Sequence, residues 1–393
     1  MAILLAGLAA IGPFATDTYL PSFQEIGHRF GVELVVVQQT LTAYMVPFAA
    51  MTLWQGAISD ALGRRRVVLA MLALFFLASL GCMFSWSIGA LIFFRAMQGM
   101  TAGAGMIIGR AIVRDVVDGA EARRLMSMVA VMFAVAPAIG PVVGGWLHVW
   151  FGWRSVFAFI ALYTAVLGFG CWRNLPETLP AERRHPLEAR SLLRGYGEVL
   201  RSGPFVALVV AVTLTFSAVF IYIVSAPAFL IRLLGVGETE FYWLFGPITC
   251  GMLVGTWLSG RLAGHLSNRR TVLLAYCFMG TAALANAALH WWRAPALPWS
   301  ILPLVLYVLG SALAMPSLTL MALDLFPQRR GLASSCQGFM QSAGNAVVTA
   351  VLAPLLWGTA LNLSLGMLAM LAAGGVAFGV YLVGVKRRGV APA

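Results

Sequence analysis

Charge is scarce in this sequence. Only 10% of its 393 residues are Asp, Glu, Lys or Arg, whereas about a quarter are charged in a typical soluble protein. Hydrophobic residues make up 61% of the chain, which leaves too little polar surface to cover a fold that meets water on every side. The shortage of charge therefore excludes an ordinary soluble protein and predicts a membrane protein whose apolar surface faces lipid.

Lysine is almost missing as well. Lys386, close to the C-terminus, is the only lysine among the 26 basic residues. A nucleotide-binding loop needs a lysine directly after its glycines, and a Schiff-base cofactor needs one inside the protein. The sequence therefore excludes ATP drive through such a loop and retinal-type chemistry.

The residue types that build metal and catalytic sites occur singly. The five cysteines lie in apolar runs without redox or ligand spacing, and the five histidines are scattered along the chain. No serine stands in a nucleophile-elbow sequence. We therefore predict that the protein is not an enzyme and holds no metal or organic cofactor.

Long apolar segments are what the sequence does contain. Twelve of them have the length of a spanning helix, about 20 residues, and one long polar stretch separates the sixth from the seventh. We predict an all-α integral membrane protein with twelve transmembrane helices. An N-terminal six-helix bundle covers residues 1–173, a cytoplasmic linker covers 174–204, and a C-terminal six-helix bundle covers 205–393.

The two halves share a motif. Residues 56–69 align with residues 260–273 at an offset of 204, although Gly264 stands where the first copy has Asp60. Internal repeats of this kind are typical of secondary transporters. We therefore predict that the two bundles are pseudo-symmetric.

The net charge of +12 would suggest nucleic acid in a soluble protein, but in a membrane protein it marks cytoplasmic loops. Outside the spans, only Arg29, Arg154, Arg232 and Arg293 fall in loops of the opposite face. We therefore predict that both termini are cytoplasmic. The expected surroundings are a lipid bilayer, with no nucleic-acid partner, and we expect a monomer.

Two ionisable residues lie well inside predicted spans, Asp17 in the first and Arg95 in the fourth. Each such residue costs about 2.5 to 3.5 kcal/mol on insertion scales, so both are functional candidates. Burial disfavours an ionised carboxyl and a nearby guanidinium favours it, so we predict that Asp17 loads and releases a proton, tuned by Arg95 and Gln98. The alternatives are a permanent ion pair between Asp17 and Arg95 and a purely interhelical hydrogen bond from Gln98.

The short turn between the second and third spans is a candidate cytoplasmic gate. Asp60 can accept a hydrogen bond from Arg64, and Gly63 permits a sharp backbone reversal. Asp115, at the end of the fourth span, is the expected third member of this charge cluster. The alternative is that the arginines serve only as a topology signal.

A polar stripe and several aromatic residues are candidates for substrate binding. Ser334, Gln337, Gln341 and Asn345 are spaced 3, 4 and 4 apart, which places them on one helix face. Such a stripe either lines a cavity or forms interhelical hydrogen bonds, and the aromatic residues either line a pocket or simply pack. The predicted substrate-binding residues are Tyr19, Tyr44, Phe216, Phe220, Gln337, Gln341 and Asn345.

Four segments together resemble signatures of the major facilitator superfamily. They are the turn with Gly56, Asp60, Gly63, Arg64 and Arg65, the run Arg95-Ala-Met-Gln98-Gly99, the run Gly140-Pro141-Val-Val-Gly144-Gly145, and the run Pro13-Phe-Ala-Thr-Asp17-Thr-Tyr19-Leu20-Pro21. The last two resemble twelve-span drug:proton antiporters, closest to the bicyclomycin and chloramphenicol efflux transporters. Small residues permit close helix approach, and the resemblance implies that the seam at Gly140, Pro141, Gly144 and Gly145 also prevents leak.

The resemblance implies the major facilitator fold and a function. We expect a proton-coupled antiporter of the bacterial inner membrane that exports small amphipathic drugs, such as phenicol-like or bicyclomycin-like compounds, by alternating access. This would be multidrug efflux, with antibiotic resistance as its consequence and the proton as the coupling ion. The alternatives are a proton-coupled metabolite transporter of the same fold (sugar or nucleoside-like efflux, or nutrient symport), a uniporter, and a receptor or lipid enzyme that transports nothing.

Overall fold

The computed structural model describes residues 1–117, 119–184 and 187–387, which form helices and turns and no β-strand. In lipid every backbone N–H and C=O must be paired within the segment, and a helix achieves this. The helices are α1 (Ala2–Asp17), α2 (Phe23–Phe30), α3 (Leu34–Thr52), α4 (Gln55–Leu62), α5 (Arg64–Met83), α6 (Ile88–Ala102), α7 (Ala104–Val116), α8 (Gly119–Phe151), α9 (Arg154–Asn174), α10 (Ala189–Leu200), α11 (Gly203–Val224), α12 (Tyr242–Leu262), α13 (Asn268–Trp292), α14 (Leu302–Asp324), α15 (Arg330–Val347), α16 (Ala353–Leu356) and α17 (Ala360–Arg387).

The chain divides into two compact units. The first comprises Met1–Glu188 together with Glu238–Phe241, and the second comprises Ala189–Gly237 and Tyr242–Ala393. The polar stretch 174–204 is shared between them, because α10 belongs to the second unit and packs on α15 and α11.

The first unit contains six helical stretches that are long and apolar enough to cross a membrane. Its main contacts join α3 to α6, α5 to α9 and to α6, and α1 to α8. The second unit contains five further such stretches. In this unit α12 is a helix of 21 residues that is not among these five stretches, and it packs against α14. The predicted all-α membrane fold is therefore confirmed.

The first membrane crossing is interrupted close to its polar residue. Helix α1 contains Pro13 and ends at Asp17, a short 3-10 turn covers Leu20–Ser22 with Pro21 inside it, and α2 begins at Phe23. Proline removes a backbone donor and breaks helical regularity, so the sequence places this break one residue after a carboxylate.

Candidate functional site

Asp17 is buried, with 7% of its surface exposed. Its Oδ1 accepts a hydrogen bond of 3.0 Å from the Thr16 hydroxyl. The residue packs against the glycines of α8, since a Cβ on Gly140 would lie 3.4 Å from the Asp17 Cβ. A Cβ on Gly144 would overlap the carbonyl of Thr18. The predicted glycine seam therefore lies directly against the segment that carries Asp17.

Arg95 lies on α6 and is fully buried. Its Nη1 donates to the Ala15 carbonyl at 3.0 Å and to Gln98 Oε1 at 2.8 Å. The guanidinium also lies over two aromatic rings, 4.9 Å from the centre of Tyr19 and 4.5 Å from that of Tyr44. Carbonyl dipoles and the negative faces of aromatic rings are thus what stabilise this cation.

Arg95 contacts the chain at Ala15, two residues before Asp17, but makes no ion pair with Asp17. Among the described residues, the ion pairs of this unit within 4.0 Å involve other acids. The Nε and Nη2 of Arg95 are buried without a hydrogen-bond partner, and the Tyr44 phenol lies within electrostatic range of both charges. In this conformation Asp17 is therefore a carboxylate without a fixed counter-ion.

Gln98 makes a hydrogen bond to Arg95 and a second one to a neighbouring helix. Its Oε1 accepts from Arg95, while its Nε2 donates to the Ser79 hydroxyl on α5 at 2.8 Å. The Cys82 thiol also lies 3.6 Å from that Oε1. The amide thus orients the guanidinium and ties α6 to α5. Sequence reasoning missed Ser79, because a single hydroxyl inside an apolar span carries no distinctive pattern.

The predicted charge cluster at the turn before α5 is formed. Arg64 makes an ion pair with Asp60 and a second with Asp115, whose Oδ2 lies 3.0 Å from the Arg64 Nε. The Arg64 backbone N–H donates to Glu177 at 2.8 Å, and Thr178 donates to Asp115 at 3.2 Å. Glu177 and Thr178 were not predicted. They lie more than a hundred residues from Arg64, in a stretch read only as a linker.

The other members of the predicted gate have different positions. Gly63 has a φ of +98°, and a Cβ there would meet the Glu177 carboxylate, so this glycine is required. Gly56 has only an ordinary contact with Ile107. Arg65 lies outside the charge cluster and donates to the Trp172 carbonyl at 2.6 Å.

The predicted substrate-binding residues fall into two groups. In the first unit, Tyr19 and Tyr44 are buried beside Arg95, and the Tyr19 hydroxyl bonds to that of Thr40. In the second unit, the rings of Phe216 and Phe220 stack on α11 with their centres 5.6 Å apart.

The polar stripe on α15 is partly engaged by neighbouring helices. Gln337 donates to Thr319 at 2.9 Å, and Asn345 accepts from Ser217 on α11 at 3.3 Å. Gln341, between them on the same face, is half-buried. Interhelical bonding therefore accounts for two of the four residues of the stripe.

A feature absent from the sequence predictions follows Asn345. Helix α15 continues as a π-helix over Val348–Leu352, and a second π-helical segment, Pro227–Leu233, follows α11. Single-turn π segments occur often at functional sites. They displace the side chains after them, and no residue pattern in the sequence marks them.

The helical bundles and their buried charges define a multi-pass membrane transporter. The sequence model of the Major Facilitator Superfamily matches residues 5–349, and the chain belongs to that family. It is a transporter and not an enzyme.

Relatives and solved structures agree with this assignment. The chain is 31% identical over 353 residues (89% of this chain, 87% of the relative) to an uncharacterized MFS-type transporter of Bacillus subtilis. It is 27% identical to multidrug resistance protein D of Escherichia coli (90% and 88%) and 26% identical to a bicyclomycin resistance protein homolog of Haemophilus influenzae (91% and 90%). A bacterial homolog of the human lysosomal transporter Spinster has a similar fold, with a TM-score of 0.72, 14% identity and coverage of 98% and 96%.

Proposed function

We propose that this transporter exports small amphipathic drugs, such as phenicol-like or bicyclomycin-like compounds, in exchange for protons. The observation that carries the proposal is Asp17. Among the described residues it is the one acidic side chain in the buried class, it lies at the break after α1, and it has no fixed counter-ion. A carboxylate in that position changes the charge of its surroundings by a full unit when it binds a proton.

The proton step follows from this environment. A proton on Asp17 removes the cost of holding a carboxylate away from water. Loss of that proton leaves an anion two residues from the Ala15 carbonyl that Arg95 contacts, and the Nε and Nη2 of Arg95 have no hydrogen-bond partner among the described residues. Each proton that moves inward across 100 mV contributes about 2.3 kcal/mol, which is enough to drive appreciable export.

The class of substrate is supported by the names of relatives. They include multidrug resistance and bicyclomycin resistance proteins, and a chloramphenicol resistance protein of Pseudomonas aeruginosa that is 26% identical over 313 residues. Substrate contacts are proposed at Tyr19, Tyr44, Phe216, Phe220, Gln337, Gln341 and Asn345. The Arg64 cluster is the proposed cytoplasmic gate, in a bacterial inner membrane with both termini inside.

The deciding experiment is a susceptibility panel in an efflux-deficient bacterial host. The host expresses wild type, Asp17→Asn, or Glu33→Gln, which is a matched control because Glu33 is an exposed acid outside the site. We expect wild type and Glu33→Gln to protect against at least one phenicol-like or bicyclomycin-like compound and Asp17→Asn to protect against none. Equal protection by Asp17→Asn and wild type would contradict the proposed role of Asp17 in proton binding.

Inverted membrane vesicles separate export from the metabolite-transport alternative. Vesicles that are acidic inside should accumulate the protected compound, and collapse of the pH gradient should release it. If wild type shifts no compound in the panel, and vesicles instead accumulate a sugar or nucleoside, the proposed substrate class is wrong.

A further inference from the structure

A second group of ionisable residues lies in the first unit, away from Asp17. His148, near the end of α8, stands between two glutamates, with Nδ1 3.0 Å from Glu25 Oε2 and Nε2 2.8 Å from Glu238 Oε2. The histidine is 6% exposed, whereas Glu25 and Glu238 are 41% and 33% exposed. This trio is called the histidine bridge below.

The histidine bridge lies at the end of the first unit opposite to Arg64. Arg64 begins α5, and the far end of α5 is held by Arg154, which donates to the carbonyls of Met83 and Ser85 at 3.1 Å each. His148 lies near the end of α8, and Arg154 begins the next helix, α9, after the turn at Gly152. On the predicted topology this end faces the outside of the cell.

The geometry around the ring has a chemical consequence. A neutral imidazole carries one N–H, so its other nitrogen presents a lone pair, whereas the imidazolium carries an N–H on both nitrogens. With a carboxylate oxygen about 3 Å from each nitrogen, a neutral ring always turns a lone pair toward one carboxylate. The Nδ1 has no hydrogen-bond partner in the described part of the chain, although Glu25 Oε2 lies 3.0 Å away. The arrangement therefore fits a protonated ring.

The bridge connects a helical residue with a short non-helical segment. Residues 238–241 group with the first unit although they follow Gly237 and precede Tyr242 of the second. A Cβ on Gly145 would overlap the Glu238 carbonyl, so the segment lies directly on α8. Glu25 is anchored separately, because its carboxylate accepts a hydrogen bond of 2.9 Å from the Trp153 backbone N–H.

The other charged groups nearby do not replace His148. Arg154, on α9, is directed to backbone carbonyls and lies over the Trp153 ring at 4.4 Å. On α2, His28 and Arg29 are exposed. Glu240 is a further acidic residue in the segment itself.

We propose that Glu25, His148 and Glu238 form a second proton-binding site, and that the bound proton fastens residues 238–241 to the first unit. External acid then closes this contact and external base loosens it. The site is separate from Asp17 and does not depend on which compound is transported.

The test measures the accessibility of the segment in purified protein in lipid nanodiscs. Thr239→Cys supplies a thiol in the segment. The rate at which a maleimide labels this thiol is measured at about pH 5.5 and at about pH 8. Labelling of the native cysteines is measured on the protein without this change and is subtracted. The labelling rate at the higher pH is divided by the rate at the lower pH. This ratio is then divided by the same ratio measured in protein that also carries His148→Gln, and the resulting quotient no longer contains the pH dependence of the thiol itself. We expect a quotient of about fivefold or more, because a hydrogen bond between two charged groups is stronger than one that involves a neutral ring.

Two further variants sharpen the result. Glu238→Gln should lower the quotient, because an amide can pair with either form of the ring. His28→Gln changes an exposed histidine at the same end and should leave the quotient unchanged. A quotient of one for the protein with wild-type His148 would overturn the proposal. So would a change in labelling caused by His28→Gln that is as large as the change caused by His148→Gln.

A direct measurement on the wild-type ring does not depend on variant stability. In protein with ¹⁵N-labelled histidine, the signals of His148 are those that His148→Gln lacks. We expect both ring nitrogens to be protonated at about pH 5.5, and a bare nitrogen there would also overturn the proposal. Neither measurement involves transport, so their outcome is independent of the proposed export function.

Discussion

The guanidinium carbon of Arg95 lies 4.5 Å from the centre of the Tyr44 ring. The Tyr44 hydroxyl is buried without a hydrogen-bond partner, so the ring face rather than the hydroxyl is what Arg95 contacts. The ring face and the hydroxyl of Tyr44 can therefore have different roles. An alanine substitution would remove both groups at once and could not tell the two roles apart.

Tyr44→Phe should keep the stability of the protein, because it keeps the aromatic face. Tyr44→Leu should lower the free energy of unfolding by about 1 to 2 kcal/mol, since it leaves a desolvated cation without that face. Thermal unfolding in detergent measures the difference. If Tyr44→Phe retains stability but loses transport, the hydroxyl contacts substrate or proton. Equal destabilisation by both variants would contradict the cation–π assignment.

Gly144→Ala should disrupt the packing of α8 on α1. The added Cβ overlaps the Thr18 carbonyl, and overpacking of this kind costs about 1 to 3 kcal/mol. Gly168→Ala is the matched control, because a Cβ on Gly168 meets nothing within 4 Å. We expect a lower yield of monodisperse protein and a lower unfolding temperature for Gly144→Ala alone. Similar behaviour of the two variants would show that the close approach at Gly144 is not required.

Arg64→Lys should impair transport while leaving membrane topology intact. Lysine keeps the positive charge but cannot direct its donors to Asp60, Ser59 and Asp115 together, as the guanidinium does. Arg66→Lys is the control, since Arg66 is exposed on the same helix turn. We expect vesicle uptake to fall about tenfold for Arg64→Lys, which corresponds to about 1.4 kcal/mol, and to remain near wild type for Arg66→Lys. Unchanged uptake in both variants would indicate that these arginines serve only as a topology signal.

Gln341→Ala should change the range of protected compounds without changing stability. Gln341 is half-buried on the face that also carries Gln337. Gln337→Leu should instead lower stability by about 1 kcal/mol, because it leaves Thr319 without its interhelical partner. A susceptibility panel and a thermal unfolding curve on both variants provide the comparison. If Gln341→Ala alters only the unfolding temperature, the residue is structural.

The sequence was sufficient to predict a site residue where that residue is energetically costly in its surroundings. Asp17 and Arg95 stood out because charge inside a span is expensive, and both are buried in the structure. Their direct ion pair was an open alternative, and the structure has Arg95 on carbonyl and aromatic groups instead. The choice between these partners depends on where α1 breaks, which the sequence indicates only to within a few residues.

Residues with ordinary surroundings or distant partners were not predictable. Ser79 and Glu177 complete the two polar clusters, but one is a common hydroxyl in an apolar run and the other lies 113 positions from Arg64. His148 was read as a scattered histidine, since its partners Glu25 and Glu238 are far away in the sequence. The π-helical segments have no local signal, because they arise from packing.

The candidate proton residues all belong to the first unit, while Phe216, Phe220 and the α15 stripe belong to the second. Tyr19 and Tyr44 also belong to the first unit, so on the proposed function only the substrate contacts of the second unit can change without altering residues beside Arg95. On that proposal, substitutions in the second unit alter which compounds bind and leave Asp17, Arg95 and Gln98 unchanged.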